Sequence, residues 1–356
     1  MQQIRVPQAE AGRRIDKYLM KYFDAAPKSF IYKAFRKKNI KLCGKRAAGN
    51  ELLNEGDLIE LFFSDETIAS MRKTPVGNHK VPAGDKATLR EYCEIVYEDK
   101  DVIFADKREN VLSQKAEPGD YSLNEALLDY CGGRPEASSF VPSVCNRIDR
   151  NTTGLVCFAK SYKATRLLSE MLRDRSLEKY YLAAVSGVVS EAAHVEAWLV
   201  KDKKSNKVTV SDRPSAGAEH IETAFRPIDG AEAEMLGIGC AGTGLKGAES
   251  SKPTTSATKG KLGKYPYTFV KVELITGKSH QIRAQLAAMG HPLLGDLKYG
   301  SRELNKYLAE EYGIRSQLLH AWEMHFPEDT QSPLDPFAGK SVKTKTPEWV
   351  KMLIRQ

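Results

Sequence analysis

The sequence predicts an α+β protein of two units, a small α/β unit at the amino end and a larger one around a mixed, mostly antiparallel sheet. Three observations predict it. With 356 residues the chain exceeds the usual size of one domain. Its excess charge sits at one end: residues 1–90 carry 18 Lys and Arg against 10 Asp and Glu, a balance of +8 that equals the net charge of the whole chain. From residue 92 onward, short runs rich in β-branched and aromatic residues alternate with helical patterns.

In the basic part, Ile15, Leu19, Tyr22 and Phe23 recur at the spacing of one helical face. Ser29 is expected to cap a second helix that turns Ile31, Ala34 and Phe35 inward. Lys33, Arg36, Lys37 and Lys38 are then left for solvent or a ligand. Residues 39–42 read as a short strand ending in a turn at Cys43-Gly44-Lys45, and Gly56-Asp57 leads into a strand over 58–63. Residues 64–90, with Pro75, Gly77, Pro82 and Gly84 among polar neighbours, lack periodicity and read as a linker.

The larger unit, 91–356, begins with a hairpin, CEIVYE and VIFADK about the turn Asp99-Lys100-Asp101. Further strands are expected at 154–160, 181–185, 194–199, 207–210, 219–227 and 268–274, with helices at 122–130, 164–174 and 279–289. Residues 237–264, mostly Gly, Ser, Thr, Ala and Lys, read as a flexible insertion between two strands.

Composition removes several classes. Hydrophobic residues are 41% and charged residues 28%, ordinary for a folded globular chain. Six scattered cysteines without a Cys-x-x-Cys pair fit a reducing, cytoplasmic setting. The start MQQIRVPQAE lacks the apolar run of a signal peptide, and no stretch approaches the roughly 20 apolar residues that span a bilayer. No two of the seven histidines have metal-ligand spacing, so no metal is expected. Gly277 and Gly295 belong to neither phosphate-cradling glycine motif, which argues against a nucleotide cofactor. A concentrated basic end fits a polyanionic partner held through phosphate contacts.

Three segments carry chemistry. The first, Cys145-Asn146-Arg147-Ile148-Asp149-Arg150-Asn151-Thr152-Thr153-Gly154, is a polar loop entering the strand LVCFAK. The second, KYYLAAVSG, alternates so that Lys179, Tyr181, Ala183, Val185 and Gly187 share a strand face. The third, Thr276-Gly277-Lys278-Ser279-His280-Gln281-Ile282-Arg283, joins a strand to a helix and precedes the stretch GHPLLGDLKYG. Taken singly, each has a plain structural explanation: a turn ion pair, a core tyrosine, a surface helix former.

In this order the segments resemble the RluA family of pseudouridine synthases, whose pattern is H-R-L-D-x-x-T-S-G, K-x-Y-x-A-x-V-x-G and T-G-R-x-H-Q-I-R, then G-H-P-x-x-G-D-x-x-Y-G. The match runs over about residues 93–326 and takes in LLHAWEMHF. Residues 12–63 resemble the small S-four RNA-binding domain, through RRIDKYL, SFIYKAFRKKNIKLCGK and LNEGDLIEL. Asn146, Lys278 and the run Asp106-Lys107-Arg108-Glu109-Asn110 depart from the family pattern, which has His, Arg and N-K-P-A-G there.

The resemblance implies isomerisation of uridine in structured RNA without an external cofactor; the chain is expected to act as a monomer. Asp149 matches the essential carboxylate, Arg283 the cation that pairs with it, and Tyr181 the tyrosine that packs on the target base. Arg147 matches the arginine that fills the space left by the flipped base. On the amino-terminal unit Arg13, Arg14, Lys33, Arg36, Lys37, Lys41 and Lys45 are the expected RNA contacts. A covalent ribosyl adduct and an elimination intermediate are both compatible with these residues. Large-subunit ribosomal RNA is the expected substrate and transfer RNA the alternative. An RNA-binding or ribosome-assembly protein without activity is the reading from another class, and a carboxylate in an RNA-facing pocket argues against it.

Overall fold

A computed structural model describes residues 2–72, 86–133, 140–202, 207–238 and 259–354. The expectations for 73–85 of the linker and for 239–258 of the insertion lie outside these residues, as do His79 and Cys240.

The amino-terminal unit comprises strand β1 (Gln2–Arg5), helices α1 (Ile15–Tyr22) and α2 (Lys28–Arg36), strands β2 (Ile40–Leu42), β3 (Lys45–Arg46) and β4 (Leu58–Leu61), and helix α3 (Asp65–Ser70). Its antiparallel sheet runs β1-β4-β2-β3. The spacing read from the sequence becomes a core: Ile15, Leu19 and Phe23 meet Ile31, Ala34 and Phe35 over Ile40, Ile59 and Leu61. Each such side chain contributes about 1.5–3 kcal/mol by leaving water. Three expectations are corrected. Pro27, with its fixed φ, occupies the cap position of α2, so the helix starts at Lys28 and Ser29 falls in its first turn. Strand β1 supplies an edge that the sequence pattern did not show. Within the expected linker, Ser64 caps α3 by accepting the Thr67 N–H at 3.3 Å, and Ile68 and Met71 are buried in the same core.

This unit is joined to the larger one through a buried ion pair. Glu10 is fully buried and Arg13 is 4% exposed, with Nη1 to Oε2 at 2.9 Å. The other Glu10 oxygen accepts the Phe140 N–H at 2.7 Å, and the Arg13 guanidinium lies 5.0 Å over the Tyr162 ring. Arg13 is therefore not among the exposed cations, contrary to expectation. Its charge is spent on Glu10, because the chain between β1 and α1 faces the larger unit rather than solvent.

The larger unit opens with α4 (Lys86–Leu89), β5 (Cys93–Glu98), β6 (Val102–Lys107), α5 (Leu123–Tyr130), β7 (Ser143–Val144), β8 (Thr153–Ala159) and α6 (Tyr162–Asp174). It continues through β9 (Glu178–Ser186), β10 (Ala193–Asp202), β11 (Lys207–Ser211), β12 (Glu219–Pro227), α7 (Gly230–Met235), β13 (Lys259–Leu262) and β14 (Tyr265–Leu274). Helices α8 (Gln281–Ala288) and α9 (Arg302–Tyr312), strands β15 (Leu319–His325) and β16 (Ser341–Lys343), and α10 (Glu348–Ile354) complete it. One sheet runs β11-β10-β12-β14-β9-β15-β8-β6-β5, with β13, β16 and β7 attached to β14, β15 and β8. Among the described residues β15 and β8 are its one parallel pair, so the sheet is mixed and mostly antiparallel, as the sequence predicts.

Central β9 is buried on both faces. Tyr181, Ala183 and Val185 pack under α6 and α8 with Leu168, Ile282 and Leu286. Leu182 and Ala184 pack against Leu304 and Leu308 of α9 and Val350 and Leu353 of α10. These last two helices are not among the sequence expectations. Those expectations also place 259–262 in the insertion, whereas these residues pair with 265–268 as β13 and bury Leu262.

Two glycines permit close approaches that fix the region around residue 149. Gly154, at φ +109°, lies opposite Ala321 in the parallel pair, and a Cβ there would fall 2.2 Å from the Ala321 carbonyl oxygen. Gly295, at φ +75°, would meet the Ser316 carbonyl at 2.1 Å. It sets the position of the next residue, Asp296.

Candidate active site

Asp149 lies in the loop between β7 and β8, and the residues on both sides of it are pinned. Asn146 Oδ1 accepts the Cys157 N–H at 2.8 Å, which fastens the loop to β8. The buried Ser113 hydroxyl accepts the Ile148 N–H at 3.1 Å and donates to the Ile148 carbonyl at 2.9 Å. The Thr152 N–H closes the turn on the Asp149 carbonyl at 3.0 Å. Beyond it, the fully buried Lys107 donates to the carbonyls of Arg108, Val111 and Arg150 at 2.8, 2.8 and 2.9 Å. Burial pulls the pKa of this amine down to about 7, with Asp149, Glu109 and Asp106 opposing. Three carbonyls match the three N–H bonds of the protonated form, so the ammonium fills this socket.

The carboxylate is met by Arg283 from the second position after the start of α8's hydrogen-bonded run. Arg283 Nη1 donates to Asp149 Oδ2 at 2.9 Å, while Nε and Nη2 grip both oxygens of Asp296 at 2.8 and 3.0 Å. Asp296 is fully buried. Burial alone would raise its pKa, yet Arg283 and the Lys298 and Tyr299 amides bring it below the ordinary carboxylate value. Burial likewise opposes the Arg283 charge, and the two carboxylates more than offset that. The guanidinium thus has one carboxylate to orient it and presents the rest of its fork to the other.

Tyr181 reaches the same place from β9, 5% exposed between Val272 of β14 and Ala321 of β15. Burial, with the nearby negative charge of Asp149, pushes its phenol pKa up, so it remains a proton donor at neutral pH. Asp149, Tyr181, Arg283 and Arg147 line one cleft of about 740 Å³. Arg147 is exposed on its wall and forms no side-chain hydrogen bond or ion pair with the described residues. The plain explanation of it as a loop ion pair therefore has no partner to support it there.

The expected contacts of the amino-terminal unit line a different surface. Lys33, Arg36, Lys37 and Lys45 are exposed, and none forms an ion pair among the described residues. Lys41 sits 5.1 Å over the Phe62 ring, and Arg14 pairs with Asp16 at 3.0 Å. Tyr32, 47% exposed, lines one depression together with Arg36 and Arg46.

Sequence reasoning missed three supports of the site. Asp296 and Lys107 both stood in quoted segments, and a buried-charge argument would have found them. Ser113 carried no sequence signal. As for metals, one group of described residues brings three ligand atoms within 4.8 Å: His194, Glu196 and Glu222. Its members come from β10 and β12, which spacing along one strand does not show. Glu222 is already held by Arg175 at 3.1 Å and His194 at 2.9 Å, and none of the three lines the cleft. No helix among the described residues is long and apolar enough to cross a membrane.

The chain is 27% identical over 357 aligned residues to an uncharacterized RNA pseudouridine synthase of Mycoplasma pneumoniae, covering 98% of this chain and 97% of the relative. It is 28% identical to the ribosomal large subunit pseudouridine synthase C of Vibrio cholerae, covering 92% of this chain and 89% of the relative. The structure of human RNA pseudouridylate synthase domain containing 4 shares the fold, with a TM-score of 0.51 at 19% identity over 76% of this chain and 94% of that one. The family described as RNA pseudouridylate synthase matches residues 101–288, more than half of the chain, which therefore belongs to that family of isomerases.

Proposed function

We propose that the chain isomerises uridine in large-subunit ribosomal RNA, with Asp149 as the reacting carboxylate. The observation that carries this reading is the Arg283 fork, anchored on Asp296, which places a guanidinium 2.9 Å from Asp149 in an open cleft beside Tyr181. A carboxylate that attacks the ribose, or takes a proton from it, must stay ionised where an RNA base displaces water. Arg283 supplies the opposing charge.

In the reaction the bond from ribose C1′ to uracil N1 breaks and its electron pair leaves with the base. The base turns, C5 bonds to C1′, the C5 proton is lost and N1 takes one up, so atoms and charge balance. Tyr181, kept protonated, packs against the base and exchanges a proton with the sugar or base. A stacked uridine hides C1′, so the nucleotide must flip into the cleft at a cost of a few kcal/mol. Arg147, without a side-chain partner among the described residues, fills the vacated space.

The amino-terminal unit, 1–63 with α3 appended, is assigned as an S-four-like RNA-binding module. Its exposed lysines and arginines contact phosphates, and Tyr32, in one depression with Arg36 and Arg46, offers a base a stacking surface. Large-subunit ribosomal RNA is chosen because the Vibrio cholerae relative is named for it. Pseudouridine mapping of total RNA from cells with and without the gene tests the assignment. The expected result is the loss of modification at discrete large-subunit positions, restored by the wild-type gene. Loss confined to transfer RNA, or no loss, would overturn it.

A further inference from the structure

We propose that His280 is a second contact for the reacting base, its Nε2–H donating a hydrogen bond to the uracil O2 as the glycosidic bond breaks. This rests on the reading of the cleft as the uridine site.

His280 Nδ1 lies 2.9 Å from the Tyr299 hydroxyl, and that hydroxyl accepts the Val208 N–H at 3.0 Å. Among the described residues Nδ1 is the acceptor within reach of the Tyr299 hydroxyl, and we assign the hydroxyl proton to it. Nδ1 is thereby the acceptor, and the ring carries its hydrogen on Nε2. Tyr299 is itself held in place, with the Arg283 guanidinium 5.4 Å over its ring.

Nε2 faces the cleft, 4.0 Å from Asp149 Oδ2, which is beyond hydrogen-bond distance. The His280 side chain is only 12% exposed. Nε2 has no hydrogen-bond acceptor among the described residues and opens on the cleft, where an acceptor of a bound base can reach it. The backbone adds to this, since His280 adopts φ 56° and ψ 16°, an unfavourable region for a residue with a Cβ.

Charge decides what the ring does. Burial is the largest influence on His280 and lowers its pKa. Arg283 and Lys298 lower it further, and Asp149 and Asp296 oppose them. The ring is neutral at pH 7. It therefore donates without competing with Arg283 for the Asp149 charge. When C1′–N1 breaks, the departing electron pair spreads over N1, O2 and O4 of the uracil. O2 is the carbonyl nearest C1′, where Asp149 acts, so a donor beside Asp149 meets it. No proton is transferred, because the hydrogen bond only stabilises the charge.

The test compares wild type, His280→Ala, His280→Gln, Tyr299→Phe and the double variant His280→Ala/Tyr299→Phe on a transcript of the large-subunit ribosomal RNA. Thermal unfolding serves as the check that each is folded. His280→Ala is expected to lower kcat about 100-fold with KM within about twofold, the signature of a donor used in the transition state. His280→Gln, which keeps an N–H, should recover part of this. Tyr299→Phe should cost about tenfold in kcat, and the double variant should be no slower than His280→Ala. A kcat for His280→Ala within about threefold of wild type would overturn the proposal, as would additive losses in the double variant. If wild type itself forms no pseudouridine in this RNA, the proposed function falls first and this inference with it.

Discussion

The lysines and arginines of α2 and the β2–β3 turn and those around Asp149 are the same residue types in opposite circumstances. Lys33, Arg36, Lys37 and Lys45 are exposed and unpaired among the described residues. Arg283 and Lys107 are buried, with three hydrogen bonds each to fixed acceptors. A cation of the first kind supplies affinity, is screened by salt and is individually replaceable. A cation of the second kind supplies geometry, and its loss strands the groups it served. Arg13 has the sequence context of the first kind and the environment of the second.

Substitutions that exchange the two circumstances should separate these roles. The largest effect is expected for Arg283→Met, which leaves Asp149 and the fully buried Asp296 without their cation. A loss of about 3–5 kcal/mol in denaturant unfolding should accompany the loss of turnover. Its pH dependence has a defined sign. In the wild type the Asp296 carboxyl is depressed, so its contribution to stability is present at neutral pH and is lost as pH falls below about 4. In the variant the stranded carboxyl favours its protonated form, so the stability deficit should shrink on acidification.

Next comes Lys107→Met, which frees three carbonyls, including that of Arg150 next to Asp149. About 1.5–3 kcal/mol of stability should be lost, and kcat should fall more than RNA affinity as the loop loosens. Arg147→Ala should leave stability unchanged and slow turnover about tenfold. That defect should shrink on an RNA whose target uridine is already unpaired, because flipping then costs less.

The smallest effect on turnover is expected for the triple substitution Lys33→Gln, Arg36→Gln and Lys37→Gln. RNA binding should weaken and the slope of log K against log salt should fall by about 2–3, with kcat unchanged. Arg13→Gln should do the reverse, lowering the unfolding temperature while keeping the salt slope. If Arg13→Gln changed the slope as the triple variant does, the contrast between exposed and buried cations would fail.

Much of this arrangement was readable before the structure. The hairpin at 93–107 follows from β-branched and aromatic runs about a turn, while β12 and the faces of α1 and α2 follow from periodicity, because each of these buries one clear side. Helices α9 and α10 escaped although Leu304, Tyr307, Leu308 and Tyr312 recur at helical spacing and α10 is mostly apolar; what they bury against, Leu182 and Ala184 across the sheet, is distant in sequence. Asp149, Tyr181 and Arg283 were legible only as members of ordered motifs. Their meeting requires β8, β9 and α8 to converge, which no local pattern encodes. Asn146, where the family pattern has His, has its own explanation in the bond it accepts from Cys157. Asp296, Lys107 and Ser113 act on backbone or on another side chain, and such roles appear only when the partners are placed.

The central claim is that the Asp149 carboxylate performs chemistry rather than holding RNA. Purified Asp149→Asn keeps the shape of the side chain and can still accept a hydrogen bond from Arg283, so binding and turnover can be measured on one folded protein. The account predicts affinity for large-subunit ribosomal RNA within about twofold of wild type and pseudouridine formation reduced by at least about a thousandfold. Turnover retained above about a tenth of the wild-type rate would contradict it.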